Sequence, residues 1–335
     1  MPFTLSHAAA VLPAVRGDGS GRGRLVPAVL VAGSFSPDMT YYVANVLPGA
    51  MEFGTVTHSL PGVVTVDVPI AWALVWLWLL MREPLVALLP RARQGRPAEL
   101  TRCGVPRARV APASVLWWYV SAMLGALTHV VWDAFTHLDR WGMRLFPVLG
   151  QRLAGTPLYW YLQYGGSAVA GVVIVLFLLR ALRRVPTGEP VGVPVLTVRD
   201  RWWAGVVIGG CAAAGAVQRV ARTWAGPPSA AGLRDLVPTL CFGAGAGLTL
   251  GLVAYALGVR ARRGSGYGEF HGLSGSGSSG GSSDAGGVGG AGGSVGSGWF
   301  GRSGDSAHSA HSGRSGRSGR SGGDADQAGV SVRSD

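Results

Sequence analysis

Five apolar runs of membrane length constrain this chain more than any other feature. A helix needs roughly 20 mostly apolar residues to cross the hydrocarbon of a bilayer, where each backbone polar group must find its partner within the segment. Residues 63–81, 113–131, 160–182, 202–221 and 237–259 meet that requirement. The first holds one acid, Asp67, a turn from its start, and the second holds His129 near its end. Tyr159, Trp160, Tyr161 and Tyr164 form an aromatic belt at the head of the third. The fourth is the weakest, because it is rich in Ala and Gly and Arg219 intrudes near its end. Residues 25–35 are apolar too, but too short to span. The expectation is an all-α fold, a multi-pass transmembrane helix bundle of about five spans.

Three regions follow. Residues 1–62 read as a short helical or re-entrant N-terminal segment, 63–263 as the bundle, and 264–335 as a tail. The tail has 24 Gly and 18 Ser among its 72 residues, a linker composition that cannot bury a core, so it is expected to be disordered. Its Gly-Arg-Ser repeat between Ser312 and Arg320 reads as part of a flexible solubilising extension. The tail carries 5 Arg against 6 acids, so of the formal net charge of +12 the body holds +13 and the tail −1. That charge does not indicate nucleic acid, since the arginines sit in loops beside the spans; membrane lipids are the expected partners and no nucleic acid is expected. With residues 82–112 inside, the cytoplasmic loops hold 14 Arg against 8 on the opposite face. This bias predicts a plasma-membrane protein with the N-terminal segment outside and the Gly/Ser tail cytoplasmic.

Cysteine and glycine add limits. Cys103, Cys211 and Cys241 are far apart with no C-x-x-C, so neither a disulfide framework nor a thiolate zinc site is indicated. The start of the chain lacks a basic region ahead of its short apolar piece, which argues against a cleaved signal peptide. Gly205 and Gly209 make one small-xxx-small pair, and Gly243, Gly247 and Gly251 repeat that spacing, so the fourth and fifth spans are expected to pack closely.

The polar residues carry the functional information. The body has four histidines, His7, His58, His129 and His137, three of them in Thr-His dipeptides. His129, Asp133 and His137 are spaced i, i+4, i+8, so a helix would line them up on one face, drifting by about 40° per step. Two imidazoles and a carboxylate in register suit zinc, manganese or iron; the alternative is a polar stripe facing other helices. If the first two spans form a hairpin, His58 and the 133–137 segment share one membrane face. His7 and Asp38 lie upstream of His58 with no full span between, so they share it too. Asp38 follows Gly33-Ser-Phe-Ser-Pro37, where proline fixes a turn that ends the apolar run; the carboxylate is either part of the cluster or a cap of the next helix. Asp67 stands outside the core set, and Asp139-Arg140 reads as a solvated turn.

Met1-Pro-Phe-Thr-Leu-Ser-His7, Gly33-Ser-Phe-Ser-Pro-Asp38, Thr57-His-Ser-Leu-Pro-Gly62, Leu88-Leu-Pro90, Gly125-Ala-Leu-Thr-His129, Trp132-Asp-Ala-Phe-Thr-His137 and Leu162-Gln-Tyr-Gly165 together resemble the bacterial membrane family catalogued as domain of unknown function 4184. The resemblance covers roughly residues 1–260, with one departure: the family has His-Pro near its start, whereas Ala8 follows His7 here. More remotely, the N-terminal His, the Pro-Asp, the Thr-His-Ser and the later His-x-x-x-Asp are similar to inner-membrane metal-dependent hydrolases. That second resemblance implies a site of His and Asp ligands whose metal lowers the pKa of water and polarises a phosphoryl or acyl oxygen.

The leading expectation is a metal-dependent hydrolase acting on a lipid or lipid-linked phosphoester. Its metal, zinc or manganese, would be held among His7, Asp38, His58, His129, Asp133 and His137, with Asp38 and His58 completing the shell or acting as general base. The alternative is a non-enzymatic membrane scaffold, or an ion- or proton-linked transporter, whose His and Asp groups make interhelical hydrogen bonds or relay protons.

Overall fold

The computed structural model describes residues 3–47, 49–104, 112–225 and 233–273, and all of them fall in one unit, Met1–Ser278. The Gly-Arg-Ser repeat and the rest of the tail beyond 273 lie outside the described residues. Six helices organise the rest: α1 (Pro27–Phe35), α2 (Asp67–Ala87), α3 (Pro112–Ala134), α4 (Leu158–Arg184), α5 (Val198–Trp224) and α6 (Leu233–Leu273). Helices α2 to α5 and the Leu236–Arg262 portion of α6 are long and apolar enough to cross a membrane. The only sheet among the described residues is a hairpin, Arg152–Leu153 with Thr156–Pro157, closed by Ala154 and Gly155 at positive φ and leading into α4.

The first span starts later and ends later than its apolar run. Ser59 accepts a hydrogen bond from the Gly62 amide and starts a separate short helix, Leu60–Val64, and α2 begins afresh at Asp67. At its far end α2 continues through Arg82, Glu83 and Pro84. Proline has no N–H to offer the carbonyl four residues back. In this helix the Leu80 carbonyl accepts instead from Arg260 Nε of α6 at 3.0 Å, and a second Arg260 nitrogen reaches Glu83 at 2.8 Å. Tyr255 of α6 donates to the Pro84 carbonyl at 2.8 Å, so the proline becomes the place where α6 is tied to α2.

Two close-packed interfaces carry the architecture. In one, α1 lies against α3: Gly33 faces the Ala122 backbone and Gly125 faces the Leu30 carbonyl, and a Cβ at either position would collide with main chain. Val29, Ala32, Val68, Ala71, Val75 and Ala122 fill the space among α1, α2 and α3. In the other, α5 and α6 meet through Gly215, Gly243, Gly247 and Gly251, each against the partner's backbone or Cβ. The row expected on α6 is therefore in the interface. Gly205 and Gly209 are not: a Cβ there would meet open space, because α5 presents Ile208, Cys211, Ala212 and Gly215 to α6. Arg219, which makes the fourth span look weak in sequence, has a structural task. It donates to Asn45 Oδ1 at 2.6 Å and to the Tyr41 carbonyl, while Arg222 and Gln218 bind the Asn45 carbonyl, so the end of α5 holds the segment after Met39–Val43.

Candidate metal centre

The local sequence around each donor explains how it is aimed. Helix α1 stops at Phe35, and Ser36–Asp38 forms a 3-10 turn in which Ser36 Oγ donates to the Gly33 carbonyl. Because α1 ends there, the Ser34 carbonyl has no later helical amide to serve, and it accepts from His129 Nδ1 at 2.7 Å. Close approach at Gly33 and Gly125 is what brings the two groups together. Thr57 Oγ1 donates to the Pro37 carbonyl at 2.8 Å, locking the turn that carries Asp38 to the segment that carries His58. His58 Nδ1 in turn lies 2.9 Å from the Gly54 carbonyl. Thr4 Oγ1 donates to Asp38 Oδ2 at 2.5 Å.

These contacts commit Nδ1 of both rings, because a carbonyl can only accept. A histidine whose Nδ1–H is donated to a carbonyl turns Nε2 inward, where the neutral ring presents a lone pair, the usual arrangement behind a metal-ligating imidazole. His58 Nε2 and His129 Nε2 both point at the same two carboxylates. His58 Nε2 is 3.5 Å from Asp38 Oδ1 and 3.7 Å from Asp133 Oδ2. His129 Nε2 is 3.4 Å from Asp38 Oδ1 and 3.5 Å from Asp133 Oδ2. All four residues are buried, and their donor atoms lie within 4.8 Å of one another.

Whether such a set fits a cation can be tested from its edges. Two donors each about 2.0–2.1 Å from a tetrahedrally held zinc ion stand about 3.3–3.4 Å apart. The four imidazole–carboxylate edges run from that value up to 3.7 Å, longer than good hydrogen bonds, within a set whose donor atoms all lie within 4.8 Å of one another. His129 Nε2 is fully buried and has no hydrogen-bond partner among the described residues, although two carboxylate oxygens flank it. Two carboxylates with two neutral imidazoles also balance a divalent charge. The group could hold a divalent metal ion.

His7 and His137 flank this group rather than join it. His7 stacks on His129 with ring centroids 3.6 Å apart, and its Nε2 is 3.5 Å from the other oxygen of Asp133, Oδ1. Neither His7 nitrogen has a hydrogen-bond partner among the described residues, and burial, reinforced by His129, pushes its pKa well below the ordinary imidazole value. His137 is not on the helix with His129 and Asp133, because α3 ends at Ala134. Its Nδ1 lies 3.3 Å from the Asp133 carbonyl and its Nε2 accepts from Gln163 of α4 at 3.4 Å. Burial lowers its pKa as well. For Asp38, burial works toward protonation, but the positive field of His129 and the polar contacts of His129 and His58 outweigh it and hold the carboxyl well below the usual carboxylate range. A cation shared among the four groups supplies the same field without a proton on the imidazole.

A cavity of about 210 Å³ opens onto Asp38, His58 and Asp133, and Tyr41, His137, Arg140 and Gln163 are among its lining residues. Burial pushes the Tyr41 phenol up to about 12, so it remains a donor at neutral pH. Arg140, which reads as part of a solvated turn in sequence, lines this cavity, and its Nε is buried. Thr4, Ser34, Gly54 and Thr57 also lie outside the sequence-derived set. Thr57 and Ser34 had a signal, since each stands beside a turn or ligand residue in a polar motif; the carbonyl of Gly54 had none.

Asp67 is the remaining buried acid. It sits in the first turn of α2, fully buried, and neither carboxyl oxygen has a hydrogen-bond partner among the described residues.

No curated protein and no solved structure matches the chain. The family described as "Domain of unknown function (DUF4184)" matches residues 1–257, a stretch that includes the N-terminal segment, all four donors and nearly all of the helical bundle, and the chain belongs to that family.

Proposed function

We propose that this protein is a metal-dependent hydrolase that acts on a lipid or lipid-linked phosphoester at one face of the plasma membrane. The observation that carries this reading is the four-donor group, with both imidazoles anchored through Nδ1 so that Nε2 faces two carboxylates. In this reading Asp38, His58, His129 and Asp133 hold zinc or manganese. Asp38 and His58, which the sequence suggests for general-base work, serve better as ligands, since His58 Nδ1 is already committed to a carbonyl. His7 and His137 stand where each can pass a proton to or from the edge of the site, His7 beside Asp133 Oδ1 and His137 in the cavity wall. A divalent ion supplies polarisation of a phosphoryl or acyl oxygen and acidification of water. The Arg-rich loops and the tail lie on the cytoplasmic side and the donor group faces the other, with membrane lipids as partners and no role for nucleic acid. The test is metal content. The full chain purified in mild detergent should retain zinc or manganese near one equivalent, and a His129→Ala, Asp133→Ala double variant should retain none; equal, negligible metal in both sinks the proposal.

A second reading, an ion- or proton-linked transporter, draws support from Asp67. A buried carboxyl without a partner inside an apolar helix is costly unless it serves a purpose. An Asp67→Asn variant that keeps its metal but loses a proton-dependent flux in proteoliposomes would favour that reading.

A further inference from the structure

The cavity beside the donor group has a chemical bias of its own. Its polar lining includes Arg140, Tyr41 and Gln163, and its apolar lining includes Met51, Pro238 and Phe242. The Arg140 side chain is 22% exposed, and its buried Nε lacks a hydrogen-bond partner among the described residues. Its ion-pair partner is the exposed Asp139, at 3.7 Å, a distance and exposure that leave little of the charge cancelled. Outside the donor group, Arg140 is the one permanently charged side chain lining the cavity among the described residues.

Charge balance then selects the ligand. With a divalent ion in place, the carboxylates of Asp38 and Asp133 cancel its charge, and His58 and His129 are neutral when Nε2 coordinates. A single positive charge, that of Arg140, is left over. A monoanion neutralises it, and a phosphodiester carries one negative charge. A phosphomonoester carries about −1.5 to −2 near pH 7 and leaves an excess buried negative charge. A neutral ester leaves the guanidinium desolvated and unpaired.

Size and surroundings add to this. Pockets that enclose a whole drug-sized ligand hold about 300–1,000 Å³, whereas this one, at about 210 Å³, accommodates a headgroup and leaves the chains outside. It is lined by Gln163 of α4 and by Pro238 and Phe242 of α6, two helices whose apolar side chains, such as Val169 and Leu248, are exposed where lipid would be.

We infer that Arg140 is the specificity-determining residue of this site and that the group it recognises is the phosphodiester monoanion of a membrane lipid. This rests on the metal reading above. The guanidinium binds the non-bridging oxygens, Tyr41 and Gln163 offer further donors, and Met51, Pro238 and Phe242 meet the first carbons of the chains.

The test uses the full chain in mild detergent, loaded with zinc and titrated calorimetrically. Four probes are compared: a dihexanoyl phosphodiester lipid, the matching phosphomonoester lipid, the neutral diacylglycerol, and dimethyl phosphate, which has the anion without the chains. The expected result is tightest binding of the phosphodiester lipid, weakened at least tenfold by Arg140→Gln and partly restored by Arg140→Lys, with bound zinc unchanged in both variants. Equal affinity of wild type and Arg140→Gln for the phosphodiester lipid overturns the inference, as does tighter binding of the monoester or the diacylglycerol. Dimethyl phosphate binding as tightly as the lipid overturns the lipid assignment. A wild-type chain that takes up no zinc overturns both this inference and the metal reading, whereas zinc uptake without Arg140 dependence overturns this inference alone.

Discussion

The α1–α3 and α5–α6 interfaces are built by the same device and end in different outcomes. Both use glycine to bring backbones into contact, Gly33 and Gly125 in one and Gly215, Gly243, Gly247 and Gly251 in the other. The α5–α6 pair runs on for the length of a membrane, its mid-helix carbonyls are taken by their own helix, and among the described residues no cluster of ligand-type side chains forms there. The α1–α3 pair differs because α1 is nine residues long. Its last carbonyls are released just where glycine lets α3 approach, and one of them orients His129. Close packing is thus generic, and the His/Asp cluster comes from a helix that ends inside the bundle.

This contrast can be broken experimentally. The largest expected effect is on the donors: Asp133→Ala should lower metal affinity by more than the roughly 10–100-fold typical of an outer-shell partner, measured by competition with a chelator. Thr57→Val, which deletes the hydrogen bond to the Pro37 carbonyl but keeps the side-chain shape, should fall within that 10–100-fold range. Gly125→Ala and Gly247→Ala should each destabilise the detergent-solubilised protein by about 1–3 kcal/mol through overpacking, read by thermal unfolding. Only Gly125→Ala should also release metal; if Gly247→Ala releases it equally, the two interfaces are not separable. Gly205→Ala, with open space at its Cβ, should shift stability by less than about 0.5 kcal/mol.

The spans were readable in the sequence because a bilayer imposes length and apolarity directly. All five expected runs overlap one of the long apolar helices. Their ends were less readable. The break at Thr65–Val66 depends on the Ser59 cap and Pro61, and the extension through Arg82 and Glu83 depends on partners from α6, far along the chain. The i, i+4, i+8 row illustrates the same limit. His129 and Asp133 share the last turns of α3, but a helix period extrapolated to His137 cannot foresee that the helix ends at Ala134. The convergence of Asp38 with them follows from the hairpin argument only as a shared face; the contact itself comes from glycine packing. Arg140 was hidden because a charged residue after a motif looks like a surface turn, and only the fold reveals the cavity it lines.

The hydrogen bond from His129 to the Ser34 carbonyl joins residues 95 apart, and that separation sets an order of events during synthesis. Asp38 and His58 emerge before α2 and wait, as a lone carboxylate and a lone imidazole, until α3 has been made. Every donor has then been synthesised, while α5 and α6 are still to come. The His/Asp corner can therefore close around the first two spans as a nascent hairpin, and the later helices are added to a protein whose donor cluster is already assembled.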